Sequence, residues 1–199
     1  MLSMTSAALL ALGSGIVLIM PGPTNTLLAA AGLRHGIRRA ARLTGAELAG
    51  YLVSITVWGY CLAHLAVSMA WLPMLVRIAS SLYIAYLAVR MWRAAGVFDS
   101  AAHGPIGTRT LFVATLLNPK AILFAGTIFP AAAFASWPAY FEAMSIFAAL
   151  LIPIGLMWVA FGVELGRGRL KWLSPAHVQR GASIVLATFS LSIAWALFR

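Results

Sequence analysis

The few residues of this chain that could do chemistry lie within apolar stretches. Lys120 follows Asn118 and Pro119 near the middle of one such stretch, and Glu47 is the one acidic residue well inside another. An ammonium group near the centre of a membrane costs about 2.5–3.5 kcal/mol on insertion scales, so it is rarely left facing lipid. We expect Lys120 to face a cavity, a carboxylate or a substrate carboxylate. The alternative is that its long stem reaches the cytoplasmic headgroups.

Glu47 has two interpretations that the sequence leaves open. A carboxylate inside a membrane span can bind a substrate amine or carry a coupled proton. It can also form a salt bridge with Arg42 or Arg38, which precede it in the chain.

Two proline-containing segments interrupt apolar stretches near their middle. Pro21-Gly22-Pro23 interrupts the first stretch, and Asn118-Pro119 interrupts a later one. Proline removes a helix hydrogen bond, and inside lipid the freed polar groups must find partners in protein or in a water-filled cavity. These breaks therefore need an explanation: they form a site, or they kink the helices for packing.

The residues around the breaks favour a site for an anion. Thr24 and Asn25 come where a restarting helix exposes N–H groups that have no partner within the helix. Asn118 can cap the restart at Pro119, with Lys120 beside it. Free N–H groups at a helix N-terminus bind anions, so both restarts can present donors to a substrate carboxylate.

The elements that position these residues are membrane-spanning helices. The chain is 62% hydrophobic and 9% charged, whereas a soluble domain carries about 25% charged residues. A membrane helix needs about 20 mostly apolar residues. Six such stretches cover approximately residues 7–33, 43–65, 72–92, 110–133, 140–163 and 180–198. The sequence predicts an all-α integral membrane bundle of six helices, with residues 1–199 forming one transmembrane domain.

The spacing of the two breaks predicts an internal repeat. Pro21 and Pro119 lie about half a chain length apart, each in the first of three spans. The halves, approximately residues 1–100 and 101–199, contain an odd number of spans, so one must be inverted relative to the other. Inverted repeats with interrupted helices one and four are typical of secondary transporters, which bind substrate at the breaks.

The positive charges predict the orientation of the chain. There are 14 Lys and Arg residues against 4 Asp and Glu, a net charge of +10. Eleven of the basic residues lie in or beside the loops after spans one, three and five: Arg34, Arg38, Arg39, Arg42, Arg90, Arg93, Arg109, Arg167, Arg169, Lys171 and Arg180. Because Lys and Arg stay on the cytoplasmic side, we expect both termini outside. The excess charge then concerns topology and does not indicate nucleic-acid binding.

Several classes of function lack the residues they need. Cys61 is the one cysteine, and the four histidines have no partner at metal-ligand spacing. The sequence has no nucleophile with an attached base and no phosphate-binding glycine loop. We therefore expect no enzyme, no catalytic residue, no metal and no cofactor, and transport would be driven by an ion gradient or be simple facilitation.

The motifs at residues 21–23 and 117–121, together with the six-span profile over nearly the whole chain, resemble the LysE/RhtB family of amino-acid exporters. The resemblance implies a multi-pass protein of the bacterial inner membrane that exports amino acids or related metabolites, with protons as the coupling ion. It assigns the substrate path to the matching motif residues, which are Pro21, Gly22, Pro23, Asn118, Pro119 and Lys120. Many members have an acidic residue directly after the Pro-Gly-Pro element, whereas this chain has Thr24 and Asn25. The resemblance implies that Glu47 replaces that acid or that the coupling differs.

Two further questions stay open at the level of sequence. With Glu47 as the one acid near the site, a neutral amino acid is favoured over a cationic one. The rival interpretation is a non-transporting membrane scaffold or assembly subunit, whose small-residue faces bind a partner. The same faces permit a homodimer.

Overall fold

The computed structural model describes residues 1–69, 71–93 and 106–167, together with part of a last helix. The described residues of that last helix are 180, 181, 183, 184, 187, 188, 190, 191, 194 and 195. All regular structure in these residues is helical, which confirms the all-α prediction. Arg169, Lys171 and much of the predicted span 180–198 lie outside the described residues.

The first two helices lie on either side of the Pro-Gly-Pro break. Helix α1 is Met4–Ile19, and α2 is Pro23–Ser68. Within α2, Gly36 has φ 71° and ψ 173°. Such a positive φ favours glycine because it has no Cβ. The helix therefore consists of two parts, residues 23–35 and 37–68, that meet at Gly36.

The remaining described helices follow in order. They are α3 Leu72–Arg93, α4 Thr108–Leu116, α5 Pro119–Leu123 with a π-helical turn at Phe124–Ile128, a 3-10 turn at Ala131–Phe134, and α6 Trp137–Gly166. The bend between α4 and the helix that follows is 49°.

The first part of α2 runs parallel to α6. A Cβ on Gly162 would lie 1.8 Å from the carbonyl oxygen of Ala29, and one on Gly166 would lie 2.8 Å from Leu33 Cδ1. Just before α1, the Leu2 N–H donates to Glu142 Oε2 near the start of α6 at 2.8 Å. The first span, formed by α1 and residues 23–35, therefore follows α6 from its start to its end. Because the glycines have no side chains, the backbones can approach this closely.

The second part of α2 runs antiparallel to α6. A Cβ on Gly155 would lie 2.7 Å from Thr44 Cγ2, while the ring of Tyr60 lies 6.5 Å from that of Trp137. Here the positions in α2 increase as those in α6 decrease, so the chain reverses direction at Gly36. The predicted loop between the first two spans is shorter than expected, since helix continues on both sides of this glycine.

The span made of α4 and α5 runs parallel to the second part of α2. A Cβ on Gly50 would lie 2.7 Å from Thr115 Cβ, and the Ser54 hydroxyl donates to the Leu116 carbonyl at 3.0 Å. It therefore runs antiparallel to the first span, which is formed by α1 and residues 23–35.

Helix α3 pairs with the last helix through serines. The Ser81 hydroxyl donates to the Ser190 carbonyl at 3.0 Å, and the Ser190 hydroxyl donates back to the Ser81 carbonyl at 2.8 Å. Ser183 donates to the Ala88 carbonyl at 2.6 Å. These bonds satisfy polar groups between two antiparallel helices.

By length and composition, two described helical segments are long and apolar enough to cross a membrane: Pro23–Ala63, which contains the reversal at Gly36, and Trp137–Gly166. The bent pair Thr108–Leu116 and Lys120–Ile128 gives a third if it is counted as one span, and α1 is a shorter apolar helix. The six-span arrangement with inverted halves stays a prediction.

Candidate functional site

The two predicted helix breaks are confirmed, and they meet. Helix α2 starts at Pro23 and α5 starts at Pro119, each after a non-helical interruption. The Lys120 ammonium donates to the carbonyl oxygens of Val17 at 2.9 Å and Met20 at 2.6 Å. The break of one span therefore contacts the break of the other, although about 100 residues separate them.

The side chains of Lys120 and Asn25 both donate hydrogen bonds to the last carbonyl groups of α1. Lys120 is 5% exposed and reaches neither lipid nor the headgroups. The Asn25 side-chain amide donates to the carbonyls of Leu18 at 2.8 Å and Met20 at 2.9 Å. The last carbonyls of a helix have no partner within it and form the negative end of the helix dipole, so an ammonium group there is favourable.

Gly22 allows the lysine to approach the break. A Cβ on Gly22 would lie 2.9 Å from Lys120 Nζ and 3.0 Å from its Cε. The Gly22 carbonyl accepts from both the backbone N–H and the hydroxyl of Thr26, each at 2.9 Å. The glycine between Pro21 and Pro23 thus leaves room for the ammonium group and starts the first turn of α2.

Asn118 joins the two broken spans on the other side of the junction. Its Oδ1 accepts from the Lys120 backbone N–H at 3.1 Å, which confirms the predicted cap of α5. Its side-chain nitrogen donates to the Tyr51 hydroxyl at 2.9 Å and lies 3.5 Å from the Thr24 hydroxyl. Sequence reasoning missed Tyr51; the available signal was a phenol near the middle of the apolar stretch 43–65.

Glu47 is 1% exposed, and its predicted alternative role in a salt bridge is wrong. Arg42 and Arg38 are exposed. Within the described ranges the ion pair is the one between Arg167 and Glu164, at 2.6 Å. The Glu47 carboxylate therefore lies inside the bundle without an arginine partner.

Glu47 faces the junction and α6 at the same time. Thr24 and Lys120 are the polar groups at the junction that interact with its carboxylate. On the other side, a Cβ on Gly155 would lie 3.2 Å from Glu47 Oε2 and 3.3 Å from Thr44 Oγ1. In the part of the chain that the structure describes, neither of these two oxygen atoms has a hydrogen-bond partner.

Aromatic rings extend from this polar cluster toward the end of the bundle where α6 begins. The Tyr51 ring contacts those of Phe124 and Phe147, with centroids 5.6 Å and 5.7 Å away. Phe147 contacts Phe129 at 5.8 Å, and Phe129 stacks on Phe134 at 6.0 Å. The buried rings close this side of the polar cluster by packing.

A buried polar cluster at the junction of two antiparallel broken helices is typical of secondary transporters. Among the described side chains, no three His, Cys, Asp or Glu residues are placed to hold a metal ion. The chain matches the family described as LysE type translocator over residues 15–199, and it belongs to that family. It is a multi-pass membrane protein, and because the family consists of translocators, the prediction that it is not an enzyme is confirmed.

Two curated proteins are similar to part of the chain. A homoserine/homoserine lactone efflux protein of Salmonella typhi is 30% identical over 115 residues, covering 55% of this chain and 54% of that protein. The protein of the same description from Salmonella typhimurium strain LT2 is 29% identical over 115 residues, with the same coverage. The chain spans about half the length of the curated relatives it matches. No solved structure matches.

Proposed function

We propose that this protein is a secondary transporter that exports amino acids or related small metabolites across the bacterial inner membrane, in exchange for protons. The observation that carries the proposal is the contact between the two breaks, where Lys120 donates to Val17 and Met20. Polar groups buried in the middle of a membrane protein mark substrate or ion pathways. Membership of a translocator family supports the same conclusion.

The substrate carboxylate binds at the N-terminus of α2. Thr24 and Asn25 lie in the first turn, whose N–H groups have no partner within the helix. Lys120 has three N–H donors, and the two bonds to α1 leave one for an anion. Because Gly22 has no side chain, the Lys120 ammonium group fits directly beside this turn.

The similar proteins favour a small neutral amino acid as the substrate class. Their printed description names homoserine and homoserine lactone. Both compounds carry a primary amine, whereas the free carboxylate is present in homoserine alone. A site that takes both would therefore bind the amine strongly, and Glu47 is the acid available for the amine or for a proton.

Transport proceeds by alternating access between two inverted halves, approximately residues 1–100 and 101–199, with six spans and both termini outside. The antiparallel direction of the two broken spans supports this arrangement. When the halves move, the hydrogen bonds between the two helix breaks are lost. The aromatic rings that close one side of the polar cluster then separate. The small-residue faces permit a homodimer.

The proposal is tested with purified protein in proteoliposomes loaded with labelled homoserine. We expect efflux from vesicles with the wild-type protein and its loss in Lys120→Ala and Pro23→Ala variants that insert normally. Gly15→Ala is the control, since a Cβ there meets no atom within 4 Å. Wild-type rates in both inserted variants would refute the site. Absence of flux for any amino acid, with a stable complex with another protein in mild detergent, would support the scaffold interpretation.

A further inference from the structure

Two buried oxygen atoms without partners lie side by side where α2 packs on α6. Glu47 and Thr44 are 1% and 3% exposed, and they are three residues apart on one helix, so they share a face. Glu47 Oε2 and Thr44 Oγ1 have no hydrogen-bond partner among the described residues. Both lie within 3.3 Å of a single point, the position that a Cβ on Gly155 would take.

Such a pair is costly unless something binds it. A buried polar atom without a hydrogen bond loses its interaction with water and gains nothing in return, and the cost is larger for a carboxylate. Lys120 interacts electrostatically with Glu47, but its ammonium donates to the carbonyls of Val17 and Met20. Thr24 forms a hydrogen bond with the carboxylate at the junction, so Oε2, on the side of α6, is the oxygen atom available to another donor.

We propose that Glu47 and Thr44 form the subsite for the ammonium group of the transported amino acid, against the bare backbone of Gly155. This inference rests on the proposed function and assigns Thr44 and Gly155 a role in specificity. A primary ammonium group has three N–H donors and a positive charge, which match one carboxylate oxygen and one hydroxyl oxygen. With Lys120 at the junction, the site has one charge of each sign, as an amino-acid zwitterion requires.

Gly155 keeps the two oxygen atoms uncovered. A methyl group at this position would lie 2.7 Å from Thr44 Cγ2 and 3.2 Å from Glu47 Oε2, so Thr44 would have to move and the carboxylate would be partly covered. Gly155→Ala is therefore expected to weaken amine binding. Gly45→Ala is the matched control, because Gly45 lies beside Thr44 in the chain and a Cβ there meets nothing within 4 Å.

The experiment is exchange of labelled homoserine in proteoliposomes, with unlabelled homoserine or its α-hydroxy analogue as competitor. Exchange moves no net protons, so it reports on binding and not on coupling. We expect Glu47→Gln to weaken competition by homoserine about 30-fold, as for removal of a buried charge partner, and to leave competition by the hydroxy acid near wild type. Glu164→Gln, the same change at a partly exposed acid that pairs with Arg167 at the end of α6, should alter neither.

A second pair of variants keeps the inference testable if Glu47→Gln fails to insert. Thr44→Val should weaken competition by homoserine about 10-fold, and Thr44→Ser, which retains the hydroxyl group, should restore it. If the wild type exchanges homoserine and these variants keep its preference for the amine, the subsite is wrong while the proposed function stands. If the wild type exchanges no amino acid, the proposed function itself is wrong.

Discussion

At the junction of the two broken spans, two donors share one acceptor. We derive a quantitative prediction from this arrangement. The Met20 carbonyl accepts from Lys120 at 2.6 Å and from Asn25 at 2.9 Å. Each side chain also donates to a second carbonyl that the other does not reach: Lys120 to that of Val17, and Asn25 to that of Leu18. We consider Lys120→Met, Asn25→Leu and the combined variant, which replace each donor by an apolar side chain of similar size.

The structure sets the expected magnitudes. A buried acceptor that loses its partner costs about 1–3 kcal/mol. Lys120→Met leaves only the Val17 carbonyl without a partner, and Asn25→Leu leaves only that of Leu18, because Met20 keeps one donor in each case. The combined variant also removes the last donor to Met20. It should lower the free energy of unfolding by about 1–3 kcal/mol more than the sum of the two single variants.

The assay is reversible unfolding of the purified protein by SDS titration in mixed micelles, applied to all four proteins of a double-mutant cycle. The cost of burying the ammonium group enters both Lys120→Met comparisons, so it cancels in the coupling term. Effects that add within about 0.5 kcal/mol, as for independent sites, would refute the shared acceptor. Additive effects would show that Lys120 and Asn25 do not share the Met20 carbonyl at the end of α1.

Three further predictions concern packing and the polar cluster. Gly162→Ala should prevent stable folding, since its Cβ would lie 1.8 Å from a backbone oxygen of α2, whereas Gly15→Ala, inside α1 and without a clash, should not lower the thermal unfolding temperature. Gly59→Ala places a Cβ 2.0 Å from the Phe134 ring, and adding Phe134→Leu should restore part of the lost thermal stability if that clash is the cause. Tyr51→Phe removes the acceptor of the Asn118 amide and should lower the free energy of unfolding by about 1 kcal/mol in SDS titration; an unchanged value would exclude this bond as a contributor.

The helix breaks could be predicted from sequence because their causes are local. Proline cannot continue a helix hydrogen-bond ladder wherever it stands, and Asn118 caps a helix that begins at the next residue. The reversal of α2 was also predicted, though as a longer loop. Its tightness depends on the positive φ of Gly36, which a glycine allows and does not require.

The partners of these residues could not be predicted, since they depend on how distant segments pack. Lys120 interacts electrostatically with the Glu47 carboxylate, in line with the expectation that it faces a carboxylate, but the sequence does not indicate that its hydrogen bonds go to the end of α1. The position of Gly155 against Glu47 and Thr44 follows from the packing of α6 on α2. Nothing in the spacing of these three residues along the chain indicates that contact.

The central claim, that an amino acid occupies the junction of the two broken spans, is tested most directly by substrate protection. Thr24→Cys in a Cys61→Ser background places the one thiol of the chain at the start of α2. Homoserine should slow alkylation of this thiol by N-ethylmaleimide and leave unchanged the alkylation of a Ser136→Cys control, which is exposed in the turn before α6. Equal alkylation rates at position 24 with and without homoserine, in protein that still exports it, would contradict the account.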